Sequence, residues 1–100
     1  MKPNKELDLL DQPTLARIAM EAPDRFTRRQ AVCRLTDQAA LARIAMEDAD
    51  ASVRWESVWQ LTDQPTLAHN AVMDPDADVR HLAKNQPGIL AKNQPGIKVE

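Results

Sequence analysis

Asp24, Asp50 and Asp76 each precede an arginine by four residues, and the partners are Arg28, Arg54 and Arg80. A carboxylate at a helix start accepts free backbone amides, and a guanidinium one turn later can pair with a neighbouring carboxylate. A structural role is therefore expected of these six residues. The competing reading is an arginine column that binds phosphate, which the acidic neighbours and the net charge of −2 weaken. Trp55 and Trp59 lie four apart, so on a helix they share one face. Two readings stand for them. They anchor a partner, a role tryptophan often fills, or both rings pack over a neighbouring helix. Cys33 is the single cysteine, so neither an internal disulfide nor a multi-cysteine metal site can form. A catalytic thiol needs a base within reach. His81 lies two repeats away, roughly 20 Å if helices stack about 10 Å apart. No Ser-His-Asp constellation, paired catalytic carboxylate, zinc motif or phosphate loop occurs. The expectation is a protein without catalytic residues, cofactor or metal.

Composition narrows the classes further. At 43% hydrophobic and 28% charged residues, the chain can bury a core and is not of a disordered type. Helix formers dominate, and only two glycines occur, which disfavours an all-β domain. A pI near 5.6 argues against nucleic-acid or membrane-surface binding. No apolar run reaches the roughly 20 residues of a membrane helix. The start, MKPNKELDLLDQ, has no apolar stretch resembling a signal peptide, so a cytoplasmic location is expected.

A repeat positions these residues. "LTDQ" occurs at Leu35 and again at Leu61, a spacing of 26. Three units follow within a single domain, at residues 11–36, 37–62 and 63–88, with 89–100 left as a capping or frayed tail. Asp11, Asp37 and Asp63 are good N-caps, with Thr36 and Thr62 as competitors, and Pro13 and Pro65 fall in the first turn, where proline is tolerated. The first helix of a unit, A, carries Leu15, Ala16, Ile18, Ala19 and Met20 on a broadly buried arc, with Arg17 and Glu21 facing water. Turns at EAPDR, EDADA and MDPDA lead into a second helix, B. Neither helix can bury its apolar surface alone, whereas stacked units can.

"DPDADVR" (Asp74 to Arg80) and "DADASVR" (Asp48 to Arg54) resemble the inter-helix turn of HEAT repeats, particularly the short bacterial HEAT-like type. The resemblance covers residues 7–86, with unit one departing at Thr27 and a leucine-rich variant repeat as a related possibility. It implies an all-α fold, a short α-solenoid of about three helix-turn-helix units, preceded by a helix fragment at Glu6 to Leu10. It also implies that the B helices line the concave face, and that Asp24, Arg28, Asp50, Arg54, Asp76 and Arg80 form a structural ladder between adjacent repeats. The positions equivalent to Trp55 and Trp59 are Arg29 and Cys33 in unit one, and His81 and Asn85 in unit three. Arg29, Trp55, Trp59 and His81 are thus the expected contact residues of a non-catalytic interaction or scaffold module, whose partner is another protein or a second copy. Some HEAT-like families are bilin lyase subunits or alkylpurine DNA glycosylases. No catalytic residue of theirs can be matched here, which leaves an accessory role or a purely structural, self-associating array as alternatives.

LAKNQPGI occurs twice in succession, at 82–89 and 90–97. "NQP" resembles the "DQP" that opens units one and three, so each copy reads as an A helix starting early. A tandem duplication without structural role is the alternative. Unit three also loses apolar positions: Asn70 stands for Ile18 and Ile44, Lys84 for Val32 and Val58, and Pro87 for Leu35 and Leu61. The expectation is a polar outer face on the last unit, covered by Asn85 to Leu90 folding back. The less covered N-terminal end is expected to promote a homodimer by end-to-end stacking.

Overall fold

The computed structural model describes residues 5–86, which form a short 3-10 turn at Lys5–Leu9 and six α-helices. The A helices are α1 (Gln12–Glu21), α3 (Gln38–Glu47) and α5 (Gln64–Met73). The B helices are α2 (Arg25–Val32), α4 (Ala51–Gln60) and α6 (Ala77–Lys84). Among the described residues there are no strands.

Aspartate starts every one of these helices. The amides of Thr14, Ala40 and Thr66 donate to Asp11, Asp37 and Asp63 at 2.9–3.1 Å. Asp24 accepts from the Thr27 amide, Asp50 from those of Ser52 and Val53, and Asp76 from those of Asp78 and Val79. Aspartate therefore displaces Thr36 and Thr62 as the A-helix cap. Each A helix stops by turning extended at Ala22, Asp48 or Asp74, with ψ of 135°, 137° and 135°. Proline follows Ala22 and Asp74 and disfavours further helix there. Asp48 adopts the same conformation before Ala49, so the stop does not depend on proline.

Each A helix packs on the B helix that follows it. The B helices also pack side by side in the order α2, α4, α6, and the A helices in the order α1, α3, α5. The core lies between these two layers. Leu15, Leu41 and Leu67 occupy one 26-residue column within it and are at most 2% exposed. Ala31, Ser57 and Ala83 form another, fully buried, where small side chains let the layers approach closely. Leu7 of the N-terminal turn is buried against the first pair, and Leu10 packs beside it.

Among the described residues, the buried Ser57 hydroxyl has no hydrogen-bond partner. Alanine fills the same column in the other two units. Ser57→Ala is therefore expected to stabilise the fold by about 1 kcal/mol, since an unsatisfied buried hydroxyl costs roughly that or more. The check is the urea midpoint, and a lower midpoint in the variant would show that the hydroxyl is bonded.

The layers correct two expectations. Met20 and Met46 are 38% and 49% exposed, not buried, because a ten-residue A helix in a two-layer stack covers only part of its apolar arc. Asn70 is 1% exposed and does not make a polar outer face. Its amide donates to the Ala45 carbonyl at 2.8 Å and to Asp74 at 3.0 Å, so it is a satisfied donor inside the stack.

Candidate functional surface

The arginine ladder is the most regular polar feature. Arg28 grips Asp48 through Nε and Nη2 at 2.9 and 3.2 Å, and Arg54 grips Asp74 at the same two distances. The remaining Nη1 ties each arginine to its own inter-helix turn, at the carbonyls of Ala22, Asp48 and Asp74 for Arg28, Arg54 and Arg80. The ladder thus runs from one unit to the turn of the next. Its acids are Asp48 and Asp74, whereas Asp24, Asp50 and Asp76 serve as helix caps. Arg28 and Arg54 are committed to these bonds and are not presented as a phosphate column.

A second ladder was not legible in the sequence. Gln12 donates to the Arg34 carbonyl and accepts the Thr36 amide, and Gln38 does the same with Gln60 and Thr62. The glutamines of the first two "DQ" pairs thus brace the loop that leads to the following unit. Gln64 has its Oε1 buried and unpartnered among the described residues. The amide at the equivalent place belongs to Gly88, outside those residues. A third series joins neighbouring B helices. Gln60 donates to the Val32 carbonyl at 2.6 Å, and Gln86 to those of Val58 and Trp59 at 2.7 and 2.8 Å. Asn85 is accordingly the C-cap of α6 and Gln86 its buried anchor, and the early A helix expected after NQP falls outside the described residues. The fold-back of Asn85 to Leu90 and the frayed tail fall mainly beyond Gln86, outside the described residues.

Asp50 shows what the caps do to titration. Its carboxyl is lowered to about 2, first by the Ser52 hydroxyl, and also by the Ser52 and Val53 amides and by Arg25, against a raising effect of desolvation. Arg25 lies 3.2 Å away. An aspartate in an unfolded chain titrates near ~3.9. The folded value is the lower one, so the contribution is present above ~3.9 and lost as pH falls through about 2. Asp11 and Asp24 are lowered by bonds from Thr14 and Thr27. Asp50→Asn keeps a competent cap but removes this titration and the Arg25 pair. Melting temperature should therefore fall less steeply in the variant than in the parent between pH 4 and pH 2. Parallel curves would refute this assignment.

The four expected contact residues lie on the three B helices. Trp55 and Trp59 stack with centroids 5.7 Å apart and planes 5° from parallel. Trp55 is half-buried against the core, while Trp59 is 56% exposed. His81 and Trp55 line one open groove between α4 and α6, together with Asp76 and Asp78. Arg29 sits on the other flank of α4, 3.9 Å from Glu56. The Trp pair is thus divided between the two readings, with one ring packed and one displayed. No protein-family model, curated protein or solved structure matches this chain. The surface must be read from its own chemistry.

That chemistry does not favour a nucleophile. Partial burial, then the Glu56 carboxylate, push the Cys33 thiol up, and Arg29 and Arg34 oppose this. A reactive cysteine needs the opposite shift. His81 lies against Asn85, whose amide nitrogen is 3.4 Å from its ring. Among the described residues, no group of three His, Cys, Asp or Glu side chains could hold a metal ion, and no helix is long and apolar enough to cross a membrane. On the A layer, Met20, Met46 and Val72 form an exposed 26-residue column beside Met73. The sequence reading missed it by assigning the methionines to the core.

Proposed function

We propose that this chain is a HEAT-like α-solenoid of three 26-residue units that works as a non-catalytic protein-interaction module through its B-helix face. The two-layer packing of the helix pairs supports the architecture, and so does the arginine ladder that passes from unit to unit. The observation that carries the function is Trp59. A large ring 56% exposed at the centre of a helical layer gains little from folding, and its stack on Trp55 presents a flat aromatic surface. Such rings serve as interface anchors. The acidic balance of the chain supports a protein partner over a nucleic acid.

The test uses the full chain as bait beside a Trp59→Ala variant. Trp59→Ala is expected to leave the melting temperature nearly unchanged, because the ring is mostly solvated. A retained protein, purified and titrated back, should bind the parent chain and lose binding to the folded variant. Equal affinity for both would show that the B face is not the interaction surface.

A further inference from the structure

We infer that the partner of the B face is a second copy of this chain, docked about a two-fold axis that lies in the interface parallel to α4. The inference rests on the reading of that face as an interaction surface and adds the occupant. Its basis is the charge order along the layer. At the α2 end stand Arg25 and Arg29, with 58% and 42% of their side chains exposed. At the α6 end stand Asp76 and Asp78, both lining the groove beside Trp55. Asp78 is exposed, and among the described residues its carboxylate accepts no hydrogen bond and makes no ion pair. The apolar Trp pair lies between the two ends.

A two-fold axis parallel to α4 keeps each residue's level along the helices and exchanges α2 with α6. Arg25 and Arg29 lie at the same levels of their helix as Ala77 and His81, two 26-residue periods later. The rotation therefore sets the arginine end of one copy over the Asp76 and Asp78 end of the other, twice. Trp59, on the central helix, meets its own symmetry mate. This is the self-complementarity that a closed dimer requires. Head-to-tail stacking lacks it. Arg28 and Arg54 each find their acid in the next unit, but a second copy stacked after unit three would offer Arg80 the residue equivalent to Asp48, which is Ala22.

Sedimentation velocity on the full chain over a concentration series tests the inference. The parent chain is expected to dimerise, and Trp59→Ala to sediment as a folded monomer. Asp78→Arg puts like charges together at both ends of the interface and should weaken the dimer by about tenfold or more, and Arg29→Asp should do the same. Combining Arg29→Asp with Asp78→Arg swaps the ends and should restore the dimer. Circular dichroism on each variant separates a lost contact from a lost fold. A parent chain that stays monomeric at every concentration overturns the inference, as does a dimer indifferent to Trp59→Ala and to both charge reversals. A monomeric parent that still binds another protein through Trp59 would overturn only the choice of occupant and leave the interaction-module reading standing.

Discussion

Asp74→Ala is expected to destabilise the fold by about 3–5 kcal/mol, the range for breaking a buried ion pair from one side. The Arg54 and Asp74 side chains are 9% and 2% exposed, and Asp74 also accepts the Asn70 amide and the backbone amide of Asp76. Removing the carboxylate strands a guanidinium and two further donors in the stack. Burial pushes the Asp74 carboxyl up, but the Arg54 hydrogen bonds, with help from the Asp76 amide and Asn70, outweigh it and the net shift is downward. The charged form is therefore the one the fold holds at neutral pH. Asp48→Ala breaks the equivalent pair one unit earlier, where Arg28 is 15% exposed and can recover some hydration. It should cost clearly less. Urea denaturation of the two variants measures the difference. Equal losses would show that burial does not set the value of these pairs, and losses below about 1 kcal/mol would place both with ordinary surface ion pairs.

This asymmetry could not be read from the sequence, which marked the arginine column but assigned it Asp24, Asp50 and Asp76 in place of Asp48 and Asp74. The spacing of 26 and the six aspartate caps are local signals, because a cap acts within three residues of itself. Which acid each arginine grips is not local. The turns "DAD" and "DPD" offer two aspartates two residues apart, and only the packing of one unit on the next shows that the first faces the arginine. The glutamine ladder was hidden for the same reason. Gln12 and Gln38 recur in register, which was the available signal, but their partners lie 22–25 residues away.

Asn70 misled the sequence reading. An asparagine in an isoleucine column suggests a solvent-facing position, yet Asn70 is buried because Ala45 and Asp74 supply acceptors. Asn85 closes α6, and Gln86 repeats the bond of Gln60 to the preceding B helix, a 26-residue register that the likeness of NQP to DQP had obscured. The Trp face was legible as a face, since residues four apart on a helix must share one. The division between Trp55 and Trp59 was not, because it depends on how closely α6 approaches α4.

Leu41→Ala should cost about 3–5 kcal/mol, in the upper part of the range for a buried leucine. Leu15, Leu41 and Leu67 are chemically equivalent in the repeat and all at most 2% exposed, so transfer free energy alone predicts equal losses. The units are not equivalent in their neighbours. The pair α3 and α4 is packed on both sides, by α1 and α5 in one layer and by α2 and α6 in the other. A cavity there cannot close without disturbing both flanking units. Around Leu15 the outer neighbour among the described residues is the short turn at Lys5–Leu9, which can settle inward as the cavity forms. Leu15→Ala should therefore fall nearer the lower limit of about 2 kcal/mol. Against a total stability of roughly 5–15 kcal/mol for a domain, Leu41→Ala should leave the chain partly unfolded well below the parent's melting temperature. Denaturant titration of the two variants, with both midpoint and slope recorded, decides the matter. A Leu15→Ala loss equal to or larger than that of Leu41→Ala would mean that stability does not pass between neighbouring units. The central pair, and the Trp surface it carries, would then owe nothing to the units on either side.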